Sequence, residues 1–285
     1  MQEPTASKPI GEITIVKSTG ERESFDPTKL CASLMRSGAT EEMCNAVSSH
    51  IEAELHDGMS TKEIYKHAFF LLKKHSKPAA ARYSLRRAVM DLGPSGFPFE
   101  KFVAEIFRAK GYEALTDQIV QGNCVEHEVD VVAWNENKLI MAEAKFHNSL
   151  GLKSDVKVAL YIKSRFDDLR GRKFNYGRER ELDEAWLVTN TKFSKRALDY
   201  GRCQNIKMIG WNYPEKGNFQ DMIDDAGLHP LTSLTTLSNK EKSLLLTQGI
   251  VLAKTLYGDL SFLSTMGFSS KKITEVTEEL KNLLK

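Results

Sequence analysis

Two carboxylates and a lysine stand out in this chain because they interrupt otherwise apolar runs. Asp130 lies in Val129-Asp130-Val131-Val132-Ala133-Trp134, and Glu143 and Lys145 end Leu139-Ile140-Met141-Ala142-Glu143-Ala144-Lys145. A polar turn, Asn135-Glu136-Asn137-Lys138, separates the two runs, so they read as neighbouring strands of a hairpin. Side chains alternate along a strand, which puts Glu143 and Lys145 on one face and Ala142 and Ala144 on the other. Asp130 on the adjacent strand can reach the same spot. Two converging carboxylates make a hard, oxygen-rich site suited to Mg²⁺ or Mn²⁺, with positions left open for water and phosphate oxygens. A lysine beside them can orient or help deprotonate a water and stabilise charge in the transition state. The ion would polarise a phosphate and acidify its bound water, so the chemistry is phosphodiester hydrolysis. Taken alone, the same pattern also describes an ion pair closing a solvent-exposed hairpin.

Several elements would have to position these groups. Residues 98–110 read as a helix with Phe99, Phe102, Val103, Ile106 and Phe107 on one face. Glu100 lies off that stripe and points either along the strands or into water. Residues 112–122 read as the first strand. Glu128 shares a strand face with Asp130 by alternation and ranks second as a ligand, while His127 reads as structural. Gln121 either touches substrate or ends the strand. The segment 154–169 reads as a helix with Val158, Tyr161 and Ile162 on one face and Lys157, Lys163 and Arg165 near another. It leads into the basic, aromatic-interleaved Arg170-Gly171-Arg172-Lys173-Phe174-Asn175-Tyr176-Gly177-Arg178-Glu179-Arg180. Lysines and arginines neutralise backbone phosphates and aromatics stack on exposed bases, so Lys163, Arg165, Arg170, Arg172, Lys173 and Arg178 are the candidate DNA contacts. A basic stretch is as often a solvated surface. Strand, helix and strand over residues 185–211 imply a parallel crossover.

Asp130 followed by Glu143-Ala144-Lys145 resembles the D…(D/E)xK pattern of the PD-(D/E)xK nucleases, in particular the Mrr-type restriction endonucleases. The resemblance extends over residues 97–213 and includes the helix Gly96-Phe97-Pro98-Phe99-Glu100-Lys101-Phe102-Val103-Ala104-Glu105-Ile106-Phe107 and the closing strand-helix-strand segment. It implies a metal-dependent DNA endonuclease with Glu100, Asp130, Glu143 and Lys145 as catalytic residues and Asp130, Glu143 and Glu100 as ligands of Mg²⁺ or Mn²⁺. The Mrr branch often carries Gln where Glu143 stands, and the carboxylate matches the wider superfamily.

Upstream, residues 12–17 alternate as a strand, turn at Ser18-Thr19-Gly20 and return through Glu21 to Phe25, and Asp26-Pro27 starts a helix. Further helices are predicted near 28–37, 40–55, 61–75 and 78–91, with Ser60 or Thr61 and Glu63 as an N-terminal signal. This segment is similar to the ATP-cone, the nucleotide-sensing module of ribonucleotide reductases. The matching residues are Val16-Lys17-Ser18-Thr19-Gly20, Phe25-Asp26-Pro27-Thr28-Lys29-Leu30, residues 57–65 from Asp57-Gly58 to Ile64-Tyr65, and Ala79-Ala80-Ala81-Arg82-Tyr83. The resemblance implies that Lys17 and Lys29 meet the phosphates of ATP or dATP, that Thr61 and Tyr65 lie by the sugar and base, and that Phe25 and Leu30 wall the base. The family's K-R-D-G turn reads Lys17-Ser18-Thr19-Gly20 here, without the arginine. Such a module has no hydrolytic residues, so its expected part is regulation or control of a homo-oligomer.

A length of 285 residues leaves room for two or three domains, and a net charge of +2 means that any nucleic-acid surface is local. No run is long enough to span a membrane and the first residues hold no signal-peptide core, so a cytoplasmic protein without a membrane partner is expected. Cys31, Cys44, Cys124 and Cys203 are scattered and read as buried small hydrophobes, neither a zinc site nor a disulfide framework. The fold class expected is α/β, α+β overall: a disordered tail 1–11, an ATP-cone of small hairpin and helical bundle over 12–91, a Gly/Pro linker 92–97, a mixed sheet flanked by helices over 98–227, and a helical region 228–285. In that last region residues 260–268 resemble a helix-hairpin-helix that could meet a DNA phosphate, or form a helical cap. The alternative function is a non-catalytic, nucleotide-responsive DNA-binding protein or transcriptional regulator. RNA processing or junction resolution would use the same metal chemistry.

Overall fold

The apolar runs around Asp130 and Glu143 become the middle of a five-stranded sheet in a computed structural model, which describes residues 13–17, 20–149 and 151–284. The expected tail 1–11, the first residue of the first strand and Ser18-Thr19 of its turn lie outside the described residues. The chain separates into two compact units, dividing between Leu85 and Arg86.

In the first unit β1 (Thr14–Val16) pairs antiparallel with β2 (Arg22–Ser24), followed by α1 (Pro27–Arg36), α2 (Glu41–Glu54), α3 (Thr61–His75) and α4 (Lys77–Tyr83). Asp26 caps α1 by accepting from the Thr28 amide, and Ser60 and Glu63 form a reciprocal capping box on α3. The helices close over Phe25, Leu30, Leu34, Val47, Ile51, Ile64 and Leu72. The helix predicted over 78–91 is two: α4 ends at Ser84, and α5 (Leu85–Met90) carries the chain across the division.

The cysteine expectation needs correction. Cys31 of α1 and Cys44 of α2, with Cα atoms 5.4 Å apart, are joined as a disulfide. Cys124 and Cys203 are exposed thiols, so only Cys44 is the fully buried small hydrophobe that was expected. A separation of 13 positions in sequence concealed that two packed helices bring them together.

The second unit continues with α6 (Phe97–Ala109), β3 (Glu113–Gln121), β4 (Glu126–Trp134), β5 (Leu139–Lys145), β6 (Lys153–Ser154) and α7 (Val156–Leu169). A small hairpin of β7 (Phe174–Tyr176) and β8 (Arg178–Arg180) comes next, then β9 (Glu184–Thr189), β10 (Lys192–Phe193), α8 (Lys195–Cys203), β11 (Lys207–Ile209) and α9 (Phe219–Asp225). The sheet order is β11-β9-β5-β4-β3; β3, β4 and β5 form an antiparallel meander, while β5, β9 and β11 run parallel. The mixed sheet and the parallel crossover through α8 are as the pattern predicts. The basic stretch after α7 is the β7–β8 hairpin rather than a loop, and at its turn Gly177 (φ 70°) lies flat against Trp134, where an added Cβ would sit 3.0 Å from the indole.

The remaining chain forms α10 (Asn239–Thr247), α11 (Ala253–Gly258), α12 (Ser261–Thr265) and α13 (Ser270–Leu283). Between α10 and α11 the helical region is broken at Gly249, whose φ is 80°. Glu279 of α13 is buried and accepts from the amides of Thr235 (2.7 Å) and Thr236 (2.8 Å) and from both hydroxyls, tying the last helix to the loop before α10. Residues 260–268 form α12 and the turn into α13, with Gly267 at φ 79°. Glu279→Ala would strip four donors of one buried acceptor and is expected to cost about 3 kcal/mol, read as a lowered urea midpoint.

Candidate active site

The β4 strand changes phase at Asp130. Val129 and Val132 both pack into the core cluster under α7, although three residues apart, which an unbroken period of two forbids. On one side, the β3–β4 ladder runs to Thr116 opposite Val131, omits the Asp117–Asp130 position and resumes at Gln118 opposite Val129; Asp117 has φ 54°. On the other side, the β4–β5 ladder stops at Val131 opposite Ala142. Beyond it β5 is held by β9, with Glu143 opposite Leu187 and Lys145 opposite Thr189. The Asp130 side chain takes over where the ladder ends: its Oδ2 accepts the Ala144 amide at 2.7 Å.

Around this break the acids crowd together. Burial, then Glu143 and more weakly Glu128, push the Asp130 carboxyl above the usual carboxylate range, against the pull of the Ala144 amide and Arg165. Glu100, in the first turn of α6, is pushed up to about 8 by burial, then by Asp130 and Asp117, with Asp117 in hydrogen-bonding reach. Glu100 thus lies in the field of Asp130 and Asp117, and Asp130 in that of Glu143 and Glu128. Asp117 escaped the sequence reading because nothing in an alternating strand marks one acid as the kinked one.

The cation that holds Glu143 is Arg165 of α7, not Lys145. Its Nη1 donates to Glu143 Oε2, and its side chain is only 11% exposed. Arg165, expected among the DNA contacts, is thus turned into the site. Lys145 stands exposed at the end of β5, two residues beyond Glu143 on the same strand face; its carbonyl accepts from Thr189 Oγ1 at 2.8 Å. Just after it, Asn190 clasps the His147 backbone through both its N–H (2.9 Å) and its carbonyl (2.9 Å).

The other predicted DNA contacts are placed elsewhere. Lys163 pairs with Asp167, Arg170 is exposed and within 3.2 Å of Asp167, Lys173 pairs with Glu179 across the hairpin, and Arg172 is exposed. Arg178 and Arg180 donate to the backbone of the β4–β5 turn at Asn135 and Glu136, and Tyr176 stacks on Trp134 at 5.1 Å. The hairpin therefore sits by the turn end of β4, roughly 13 Å along the strand from Asp130. Val158 and Ile162 pack inward from α7 as predicted, but Tyr161 does not: it is 60% exposed. Gln121 is exposed and donates to the Gly122 carbonyl.

Could a divalent ion fit? Asp130 and Glu143 each anchor one oxygen to the protein, Oδ2 on Ala144 and Oε2 on Arg165, through bonds that leave Oδ1 and Oε1 uninvolved. The donors are hard carboxylate oxygens crowded enough to repel one another, which a cation relieves. Among the described residues no group of three or more His, Cys, Asp and Glu is already gathered as a metal cage. Mg²⁺ binds through one or two carboxylates plus water and phosphate oxygens, so this set fits that ion.

His127 proves structural, as its position suggested. Its Nε2 lies 2.8 Å from Asp168 of α7, whose carboxylate also accepts from the amides of Cys124 (2.8 Å) and Val125 (3.3 Å), fastening the β3–β4 turn to the helix. These bonds, from His127 first and then Cys124, hold the Asp168 carboxyl well below the usual carboxylate range. A depressed carboxyl stabilises the fold above its unfolded pKa of about 4 and loses that contribution as pH falls. Asp168→Asn is thus expected to melt lower than the wild type at pH 7, with the gap in Tm narrowing as pH is taken below 4.

In the first unit, Lys17 pairs with Glu23 at 2.8 Å and approaches Glu21 at 3.8 Å, and Lys29 lies 3.8 Å from the same Glu23. Val16 donates to the Met59 carbonyl at 3.0 Å, bringing the end of β1 beside Thr61 at the start of α3. One turn on, Tyr65 stacks on Tyr83 at 5.3 Å and on Phe69 at 6.2 Å. Lys17, Lys29 and Thr61 are drawn to one side of the hairpin. Phe25 and Leu30 are instead core residues, 5% and 8% exposed, supporting that surface from beneath.

Comparison with known proteins follows the same divisions. Residues 13–91 match the ATP cone domain, residues 94–212 the restriction endonuclease domain, and residues 229–284 the domain described as AF1548-like, C-terminal. A protein of Archaeoglobus fulgidus described as uncharacterized is 36% identical over 183 residues, covering 64% of this chain and 99% of that protein. The chain belongs to the AF1548-like family of restriction endonuclease domains. A crystal structure described as protein of unknown function AF1548 shares 34% identity and a TM-score of 0.55, covering 67% of this chain and 98% of that one. The ATP cone thus precedes a restriction endonuclease domain and an AF1548-like helical end in one chain. No helix among the described residues is long and apolar enough to cross a membrane.

Proposed function

We propose that this chain is a divalent-metal-dependent DNA endonuclease whose restriction endonuclease domain is governed by ATP or dATP bound at the ATP cone. The observation that carries this reading is the crowding of Glu100, Asp130 and Glu143 at the end of the β4–β5 ladder, with Arg165 as countercharge. Asp130 and Glu143, assisted by Glu100, would hold Mg²⁺ or Mn²⁺ through the oxygens left outside their protein bonds. A bound ion supplies the positive charge that polarises a phosphate and acidifies water. Arg165 holds the Glu143 carboxylate in place through its Nη1. Lys145 Nζ, at the exposed strand end, would orient the attacking water or receive its proton and balance charge on the phosphate. Thr189 and Asn190 fix the backbone on either side of that lysine.

The exposed cations of the β7–β8 hairpin would serve a different stretch of the substrate. An offset of roughly 13 Å corresponds to about four base pairs of duplex, so they would grip backbone beyond the scissile phosphate. Purified Asp130→Ala, Glu143→Ala and Lys145→Ala variants are each expected to lose Mg²⁺- or Mn²⁺-dependent plasmid cleavage by at least about 100-fold, the usual worth of such a group. Cleavage persisting in all three would reject the assignment.

For the ATP cone, Lys17 and Lys29 would meet the triphosphate, Thr61 the sugar and Tyr65 the base. Both lysines now share Glu23, which a nucleotide must displace. Calorimetric titration with ATP and dATP is therefore expected to show weaker binding by Lys17→Ala and a few-fold tighter binding by Glu23→Gln, because the glutamine no longer competes for the two ammonium groups.

A further inference from the structure

The helix α7 buries Ala159, Ile162, Phe166 and Leu169 in the core and sends Tyr161 outward, 60% exposed, with Leu160 beside it at 45%. This tyrosine is not loose. The Arg165 guanidinium lies 5.0 Å from the ring centroid, and Arg165 Nη2 lies 3.1 Å from the Tyr161 hydroxyl oxygen. The same guanidinium donates its Nη1 to Glu143. Ring, cation and carboxylate thus form a series running from solvent to the acidic site. Lys157, one turn earlier on α7, is exposed on the same side of the helix.

We propose that Tyr161, fixed by Arg165, is a stacking platform for an unpaired base, so that the strand held at Glu143 is DNA with a single-stranded or splayed segment next to the scissile phosphate. This rests on the nuclease reading of the Glu143 site. The physical argument has three parts. An aromatic ring already fixed by a cation and a hydrogen bond loses little rotamer freedom when a base covers it. Stacking on such a ring contributes about 1–3 kcal/mol per base and tolerates any sequence, because every base has a π-face. A base inside a duplex has both faces covered by its neighbours and cannot offer one to Tyr161 without leaving the stack, so the platform selects unpaired DNA. The exposed Lys157 is suited to the adjoining phosphate.

The test uses the full chain without divalent ion and a DNA oligonucleotide carrying one 2-aminopurine, whose fluorescence falls when it stacks on an aromatic ring. Wild type is expected to quench the single strand. Tyr161→Leu should lose the quench and bind the single strand roughly 5- to 100-fold more weakly, the equivalent of that stacking energy. Tyr161→Trp should retain both, and a fully paired duplex should bind wild type and Tyr161→Leu alike. A Tyr161→Leu protein that quenches and binds like the wild type, or a wild type that does not quench, overturns the platform. Cleavage is assayed separately: quenching that depends on Tyr161 without cleavage under any metal would sink the nuclease reading and leave the platform standing. Tyr161 is exposed, so the substitutions remove little packing, and matching thermal melts verify this.

Discussion

The hydrogen bond from the Ala144 amide to Asp130 is the constraint from which the rest of the acidic site's architecture follows. A backbone ladder cannot simply stop inside a sheet, because each unpaired buried amide costs the desolvation of a polar group. Here a carboxylate substitutes for the missing strand partner. That substitution lets β4 part from β5 while β5 stays paired to β9, and Asp130 and Glu143 lie in one another's field where the strands part. The cost is electrostatic: acids packed this closely hold their protons more tightly than free carboxyls. Arg165 offsets part of that repulsion from across the core, and an incoming cation would offset more.

How much of this was legible in the residues depends on whether each feature is local. The meander, the parallel crossover and the helix carrying Glu100 follow from apolar periodicity and turn residues, which act over a few positions. Asp130 and Glu143 were legible because charge inside an apolar strand is costly and so marks itself. The role of Arg165 was not legible. On a helix wheel it looks like any solvent-facing cation, and only the packing of α7 over the sheet turns it inward. Asp117 and the phase change at Asp130 were hidden for a related reason: a strand pattern assumes an unbroken alternation, and the break is set by side-chain hydrogen bonding between strands. Likewise, proximity in sequence placed the basic β7–β8 segment beside the acids, whereas Arg178 and Arg180 anchor it at the opposite end of the hairpin.

The two units divide the chemistry. In the ATP cone Lys17 and Lys29 both lie within reach of Glu23, and Lys17 also of Glu21. In the restriction endonuclease domain the acids around Asp130 leave a local excess of negative charge, offset in part by Arg165. Each cluster is thus balanced from within, the lysines by glutamates and the acids by an arginine.

The chain order of the sheet adds a consequence for assembly. Asp117, Asp130 and Glu143 all belong to the meander β3–β4–β5, whose turns close over few residues, whereas Arg165 must arrive on a helix that packs only when the long excursion to β9 has closed. Short loops form sooner than long ones. A nascent chain emerging from the ribosome therefore gathers the mutually repelling acids before their arginine is available. Until Arg165 docks, that local excess of negative charge is screened only by water and dissolved ions.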